Sequence, residues 1–277
     1  MRIVRDEALQ NELEENGFIT FPCLNTDTVR QLSLLFDSVK EAHVFNGKYH
    51  HSTFHTGDIA LSKKVSDAIT HCIQTAITDL FIDYEVFVAN FMIKEPGEVS
   101  EVCPHQDWTY VDENKFQSLN LWIPLQDVNE DNGCLTMLKG SHSLFYSHRP
   151  SPQYPGIFDP VMDKVRNHME SVPMKSGEGI LFYHSLLHGS LPNLTNQRRV
   201  NIVVGLHNKG AQLQHLVFKP SEEKIYEYVI LPEEFSKIML PGFLESKTPE
   251  AIMQPVFPQI TQPSFLAHFP NLSDSND

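Results

Sequence analysis

A histidine and an aspartate two positions apart are the first residues in this chain that could bind a metal ion together. His105 and Asp107 stand in the sequence HQD. On a β-strand, side chains at positions i and i+2 project from the same face, so this imidazole and this carboxylate could share one cation. The chain also has 14 histidines, so HxD pairs arise by chance. Spacing alone therefore favours a surface pair.

A third possible ligand, His188, stands in the sequence HGS. It follows the apolar segment GILFY and precedes another β-rich segment. Two histidines and one carboxylate from two strands form the ligand set that leaves one face of a six-coordinate iron open. A structural zinc site would instead close its coordination sphere, usually with thiolates, and no Cys–His spacing in this chain supports one. The three residues together favour an open iron site.

Two adjacent arginines, Arg198 and Arg199, begin the segment RRVNIVVGL. An arginine in a strand usually faces solvent, but its planar guanidinium also suits bidentate binding of a carboxylate. Strand alternation places Arg199 on one face with Asn201, and Arg198 on the other face with Val200. Only one of the two arginines can point inward. A keto acid that chelates iron at one end would need such an anchor at its other end.

The residue pattern changes along the chain from helical to β-rich. Helices are predicted over 6–16 and 26–42, and a third helix is predicted to begin at Ser62 as its N-cap. A short strand is predicted within 18–22. From about residue 84 the pattern predicts strands over 84–93, 118–125, 134–138, 179–183, 199–207 and 213–218. Many short strands after a helical start predict a mainly β fold with flanking helices, a double-sheet jelly roll.

The chain length of 277 residues fits one large domain or two small ones. The pattern favours a single catalytic domain over 1–277. Its parts are a helical N-terminal part of about 1–82, a jelly-roll core of about 84–219 and an irregular C-terminal extension of about 220–277. Segments 43–61 and 143–170 lack a clear pattern or are long for loops, so we expect them to form a lid or binding loops.

Composition restricts the partners and the compartment. The net charge of −14 disfavours nucleic acid and an anionic membrane as partners. No apolar run approaches the roughly 18 to 20 residues that a membrane span needs. The charged N-terminus and four widely spaced cysteines predict reduced thiols and a cytoplasmic protein.

Several longer stretches together resemble the phytanoyl-CoA dioxygenase family of Fe(II)- and 2-oxoglutarate-dependent oxygenases. They are ENGFITF near the start, KEPG at 94–97, HQD at 105–107, NEDNGCLTMLKGSH at 129–142 and GEGILFYHSLLHGSLPNLTNQRR at 177–199. The resemblance implies a double-stranded β-helix, which is a cupin-like jelly roll. This agrees with the pattern of predicted strands.

The resemblance also implies roles for individual residues. The iron ligands would be His105, Asp107 and His188. The residues that bind 2-oxoglutarate would be Arg199, which holds the distal carboxylate, with Ser190, Asn120 and Trp122 beside it. Fe(II), 2-oxoglutarate and O2 would then support hydroxylation of an unactivated carbon, with release of succinate and CO2. The substrate would be a small molecule or natural-product intermediate, and its attachment to CoA or to a carrier protein stays open.

Two other functions stay open at this point. A cupin-type binding or sensor protein would keep the metal and perform no oxidation. A metal-dependent hydrolase or isomerase on the same barrel would use zinc or manganese and ignore 2-oxoglutarate, although the position of Arg199 argues against it.

Other histidines and aromatic residues also allow more than one interpretation. His184 is expected to be a packing or supporting residue and His142 a turn or cap residue. The histidines at 50, 51 and 55 could form a metal cluster, although a solvated lid segment is favoured. Trp108 and Tyr110 could line the substrate entrance or belong to the core.

Overall fold

A computed structural model of the protein describes residues 2–39, 50–143, 148–151, 158–256 and 260–269. Five α-helices lie in these residues: α1 (Glu7–Asn16), α2 (Thr26–Val39), α3 (Ile59–Leu80), α4 (Met162–His168) and α5 (Gln262–His268). The same residues contain thirteen β-strands: β1 (Phe18–Pro22), β2 (His50–Ser52), β3 (Tyr84–Lys94), β4 (Val102–His105), β5 (Ser118–Pro124), β6 (Leu135–Met137), β7 (Glu170–Val172), β8 (Glu178–Tyr183), β9 (His188–Ser190), β10 (Arg199–Asn208), β11 (Gln214–Lys219), β12 (Lys224–Val229) and β13 (Ala251–Met253).

Two antiparallel sheets form the jelly roll. The six-stranded sheet has the order β1-β8-β5-β10-β3-β2, and the four-stranded sheet has the order β4-β9-β6-β7. One buried cluster joins their inner faces, with Trp122 and Phe182 from the larger sheet packed with Leu135 and Met137 from the smaller one. The predicted fold class, mainly β with flanking helices and a double-stranded β-helix, is confirmed.

The outer face of the six-stranded sheet is covered by the N-terminal helices. Alternation along the strands turns Ile202 and Val204 of β10 away from the jelly-roll interior. These side chains share a core cluster with Phe36 of α2 and with Ile69 and Ile73 of α3. The helices thus bury the second face of the large sheet. Because both faces are packed, the strands that carry the site are held in fixed positions.

Helix boundaries agree with the sequence pattern at α1 and differ at α3. Gly17 ends α1 with φ of 83°, a left-handed conformation that favours glycine. The N-cap of α3 is Asp58, whose carboxylate accepts a hydrogen bond from the backbone N–H of Leu61 at 3.0 Å. The prediction of Ser62 as this cap was wrong. Ser62 lies inside the first turn, and its hydroxyl donates to the Thr53 carbonyl at 2.6 Å.

Each of the six strands predicted after residue 84 corresponds to an observed strand. The predicted lid segments differ more. Residues 40–49, 144–147 and 152–157 lie outside the described residues, so both segments are described only in part. Residues 50–52 form β2, an edge strand paired with β3.

The C-terminal extension is more regular than its pattern suggests. Strands β12 and β13 extend β11 into a separate three-stranded antiparallel sheet. Among the helices of the described residues, none has both the length and the apolar character needed to cross a membrane.

Candidate active site

Three possible metal ligands meet at the edge of the four-stranded sheet. The antiparallel register of β4 and β9 places His105 directly opposite His188, and Asp107 follows two residues after His105. The Nε2 atom of His105 lies 3.6 Å from one oxygen of Asp107, and the Nε2 atom of His188 lies 3.6 Å from the other. One ligand atom from each residue lies within 4.8 Å of the others. Their arrangement therefore suits a single cation.

The close approach of two strands explains why the HGS motif contains a glycine. A Cβ atom at Gly189 would lie 2.7 Å from the carbonyl oxygen of Val102, on the neighbouring strand. Real Cβ atoms do not approach a backbone oxygen so closely. Glycine at this position therefore lets β9 approach β4, and this approach brings His188 to His105.

Hydrogen bonds fix which nitrogen of each imidazole is available. The Nδ1 atom of His105 lies 2.9 Å from the Cys103 carbonyl oxygen, and that of His188 lies 2.9 Å from the Leu186 carbonyl oxygen. A carbonyl oxygen only accepts hydrogen bonds, so each Nδ1 carries the proton and donates. The Nε2 lone pairs are therefore free for a metal, as in histidines that bind metals in other proteins.

The pKa values of the three side chains also suit a cation. Burial lowers the pKa of His188 to about 4, so this imidazole is neutral near pH 7. Burial alone would raise the pKa of Asp107, but His188 and a hydrogen bond with His105 outweigh it and hold that pKa well below its usual value. Burial alone would lower the pKa of His105, but the hydrogen bond to Asp107 outweighs it and raises the pKa. A metal therefore competes with a proton at His105.

Asn120 orients the carboxylate. It lies on β5, and its side-chain amide donates to Oδ2 of Asp107 at 2.7 Å. The resemblance implied that Asn120 touches 2-oxoglutarate. The structure places it beside the carboxylate of the metal-ligand candidate as well as in the wall of the site cavity. The two imidazole nitrogens and the fixed carboxylate are donor atoms that suit an Fe(II) ion.

Arg199 is the arginine that points inward. Its side chain is 1% exposed, and it donates through Nη1 to the carbonyl of Gly133. The guanidinium carbon lies 5.3 Å from the ring centroid of Trp122, and the buried Nε has no hydrogen-bond partner among the described residues. Arg198, in contrast, is 36% exposed and pairs with Glu95 at 2.8 Å. The predicted alternation of the two arginines is confirmed.

A buried lysine beside Arg199 was missed by the sequence analysis. Lys94, the last residue of β3, is paired in register with Arg199 and is fully buried. Its Nζ donates to the hydroxyl of Ser190 at 2.7 Å. Burial, and then the charge of Arg199, lower the pKa of Lys94 to about 7. The signal was present in the sequence, because alternation along β3 places Lys94 on the same face as Asn90 and Met92.

All seven predicted site residues line one cavity of about 100 Å³: His105, Asp107, Asn120, Trp122, His188, Ser190 and Arg199. Among the described residues, neither Arg199 nor Lys94 has a carboxylate within ion-pair distance. Buried charge without a counter-charge is costly, so the two cations favour an anionic ligand in this cavity. A dicarboxylate such as 2-oxoglutarate fits that requirement.

A second, larger cavity of about 490 Å³ opens next to the first and shares His105, Asp107 and Asn120 with it. Trp108 and Tyr110 both line this cavity, and Tyr110 also packs against the core cluster that contains Phe87 and Phe235.

The other histidines do not join the metal-ligand group. His184 is buried in the wall of the larger cavity, with its Nδ1 2.8 Å from the Ser118 hydroxyl. His142 stacks on Tyr183 with ring centroids 5.0 Å apart. The three histidines at 50, 51 and 55 have separate surroundings. Among the described residues they form no metal cluster; strand pairing holds the first two against β3, whereas His55 is exposed and lines the larger cavity. Within the described part of the chain, only His105, Asp107 and His188 form a group that could hold a metal.

Comparison with known proteins identifies the family. The family model described as Phytanoyl-CoA dioxygenase (PhyH) matches residues 14–201. Phytanoyl-CoA dioxygenase domain-containing protein 1 of Rattus norvegicus is 32% identical over 144 residues, covering 48% of this chain and 49% of that protein. Phytanoyl-CoA dioxygenase of Arabidopsis thaliana is 34% identical over 116 residues, covering 41% of each. The matches thus span about half the length of these curated relatives or less.

Solved structures share the fold at low sequence identity. The 2-oxoglutarate-dependent carbocyclase SnoK from nogalamycin biosynthesis has a TM-score of 0.60 and 15% identity, with 91% of this chain and 95% of that chain covered. HygX from Streptomyces hygroscopicus, with nickel and 2-oxoglutarate bound, has a TM-score of 0.54 and 12% identity, with 74% and 88% covered. At this identity the likeness shows the fold, and the assignment to a family comes from the match over residues 14–201. On that match, the chain belongs to the phytanoyl-CoA dioxygenase family.

Proposed function

We propose that the protein is an Fe(II)- and 2-oxoglutarate-dependent dioxygenase that hydroxylates an unactivated carbon of a small molecule, with release of succinate and CO2. The observation that carries this proposal is the convergence of His105, Asp107 and His188 on one cavity that also contains the buried guanidinium of Arg199. Family membership supports the reaction class.

His105 and His188 would hold the iron through Nε2, and Asp107 through one carboxylate oxygen. When bound, iron(II) with 2-oxoglutarate supplies the activation of dioxygen for attack on a C–H bond. The protein's own contribution is orientation. The carbonyls of Cys103 and Leu186 keep the imidazoles in one tautomer and one direction. The amide of Asn120 holds one carboxylate oxygen of Asp107.

The far carboxylate of 2-oxoglutarate would bind Arg199 and the hydroxyl of Ser190. Arg199 offers its unpartnered Nε and the planar geometry that matches a carboxylate. Lys94 donates to Ser190, so it keeps that hydroxyl in place and adds positive charge to the cavity. The ring of Trp122 lies against the guanidinium and limits its movement.

The substrate would occupy the larger cavity, next to Asp107 and His105. SnoK is described as an enzyme of nogalamycin biosynthesis, HygX has been solved with hygromycin B bound, and the family name refers to a CoA thioester. These names support a small-molecule substrate in general and leave its attachment to CoA or to a carrier protein as a separate question.

We also propose that residues 1–277 work as one catalytic domain in the cytoplasm. Strand β1 of the helical N-terminal part pairs with β8 in the main sheet. Phe235 of the C-terminal extension contributes to the wall of the larger cavity. All four cysteines are unpaired, which suits a reducing compartment.

Release of succinate from 2-oxoglutarate in the presence of Fe(II) and O2 tests the proposal. The wild-type protein should release succinate, and Asp107→Ala should release almost none while it keeps the wild-type melting temperature. Asp112→Ala is the matched control, because Asp112 lies on the same loop and pairs with Lys115 at the surface. Full activity in Asp107→Ala would refute the ligand assignment. Metal retention without any succinate from the wild type would favour the binding or sensor protein.

A further inference from the structure

We propose that the larger cavity binds an uncharged, ring-bearing small molecule with a hydroxyl or N–H group, as the free compound and not as a thioester of CoA. The cavity is the one of about 490 Å³ that adjoins the metal-ligand group. This inference rests on the proposed function for the reaction at the site, but the recognition of the ligand is argued from the cavity walls alone.

Aromatic rings form much of the wall. Phe87 of β3 lies 4.7 Å from Phe235 and 5.2 Å from Tyr110, measured between ring centroids. Trp108 lies 6.4 Å from Tyr110, and Phe54 lies 5.7 Å from Phe235. These distances are typical of packed aromatic pairs, so the rings support one another. Together they present a rigid apolar surface that suits a flat or alicyclic ring system.

A glycine in the neighbouring strand β10 makes room for this aromatic surface. A Cβ atom at Gly205 of β10 would lie 2.5 Å from the ring of Phe87. Glycine therefore allows the far edge of the Phe87 ring to approach β10 closely. The aromatic wall thus depends on main-chain positions of the rigid six-stranded sheet.

The described part of the cavity wall lacks the basic side chains that bind phosphate. Among the described residues that line the cavity there is no lysine or arginine, and the one carboxylate is Asp107, a proposed iron ligand. Proteins bind phosphate groups with arginine, lysine or helix N-termini. A CoA thioester would therefore find no counter-charge there, and the net charge of −14 opposes its approach.

One polar group in the wall lacks a partner. Asn90 of β3 is 7% exposed, and its Oδ1 has no hydrogen-bond partner among the described residues. Its Nδ2 reaches the carbonyl of Val203 at 3.4 Å. A buried acceptor without a donor is costly, so a ligand that offers a hydroxyl or N–H group gains specificity here. Asn90 and Asp107 line the same cavity, so one ligand would face both the unpartnered acceptor and the metal-ligand group.

Three related ligands test the hydrogen-bond donor and the CoA phosphates separately. The probes are 2-naphthalenemethanol, 2-methylnaphthalene, which lacks the donor, and 2-naphthoyl-CoA, which adds the phosphates. Dissociation constants are measured by calorimetry on the full chain under nitrogen, with and without Fe(II) and 2-oxoglutarate. We expect the alcohol to bind at least tenfold more tightly than the thioester, and about tenfold more tightly than the hydrocarbon, as one neutral hydrogen bond allows.

Asn90→Leu should remove the preference for the alcohol over the hydrocarbon and leave the binding of the hydrocarbon intact. Asn201→Leu is the matched control, because Asn201 is also buried with an unpartnered Oδ1 but does not line the larger cavity. It should keep the wild-type preference.

Three results would overturn the inference: equal or tighter binding of the thioester, no binding of the alcohol, or an unchanged preference in Asn90→Leu. Binding of the alcohol by a chain that releases no succinate would instead refute the proposed function and leave this inference in place.

Discussion

Replacing Arg199 with methionine removes a buried cation and keeps a long apolar side chain. The loss of its hydrogen bond leaves the Gly133 carbonyl without this donor, at about 1–3 kcal/mol. The loss of its contact with Trp122 costs about 0.5–2 kcal/mol. Burial acts in the other direction. It lowers the pKa of Arg199 from 12.5 to about 10, which corresponds to roughly 3 kcal/mol of unfavourable charge burial. These terms nearly cancel, so the free energy of unfolding without ligand should change by less than about 2 kcal/mol.

The affinity for 2-oxoglutarate, in contrast to the stability, should fall strongly in Arg199→Met. Removing one partner of a buried charge pair costs about 3–5 kcal/mol, which raises a dissociation constant roughly 100-fold to several thousand-fold. The assay is an anaerobic titration of the Fe(II)-loaded protein with 2-oxoglutarate, next to urea unfolding of the ligand-free protein. Arg198→Met is the control, since Arg198 forms a partly exposed pair with Glu95 that should contribute less than about 1 kcal/mol. An unchanged affinity in Arg199→Met, or destabilisation by more than about 4 kcal/mol, would show that Arg199 has a structural role only.

Three further predictions concern side chains that support the metal-ligand group and Arg199. Asn120→Leu should weaken Fe(II) binding about tenfold, measured by competition with a chelator, because Asp107 loses the amide that orients it; unchanged affinity would contradict this. Arg149→Met should lower turnover more than it lowers 2-oxoglutarate affinity, because Arg149 donates to the Asp107 carbonyl at 2.6 Å and pairs with Glu113; equal loss of both would contradict it. Lys94 has a pKa of about 7 and is charged below that value, so the affinity for 2-oxoglutarate should fall as the pH rises from 7 towards 9. Lys94→Met should bind more weakly at pH 6.5 and lose this pH dependence, and a retained pH dependence would point to another group.

The fold and the metal-ligand group could be predicted from local patterns. Strands such as β3 and β10 combine β-formers with clear turn residues at their ends, so their positions follow from the sequence. Alternation within one strand showed that only one of Arg198 and Arg199 can point inward, and the family resemblance chose Arg199. The residue pattern suggested His105, Asp107 and His188 as one ligand set, and the family resemblance supported it. The register that places His105 opposite His188 could not be derived, because strand register depends on contacts far apart in sequence.

Other features depend on contacts that no local pattern encodes. Alternation along β3 gives the face on which Lys94 lies, but a lysine at the end of a strand usually reaches solvent, so its full burial is not encoded locally. The hydrogen bond from Asn120 to Asp107 joins β5 of the six-stranded sheet to the segment that follows β4 of the other sheet. The aromatic wall of the larger cavity combines Phe87 with Phe235 of the C-terminal extension, where the sequence pattern is weak. At α3, Asp58 and Ser62 are both good caps by residue type, and packing decides between them.

The central claim is that His105, Asp107 and His188 bind iron with 2-oxoglutarate beside it. An anaerobic titration of the metal-free protein with Fe(II), and then with 2-oxoglutarate, followed by visible absorption, tests it directly. We predict a charge-transfer band that appears only when both are present and saturates at one equivalent of each. The band should be absent from His188→Ala and retained in His184→Ala. Absence of the band in the wild type, or its persistence in His188→Ala, would contradict the proposed site.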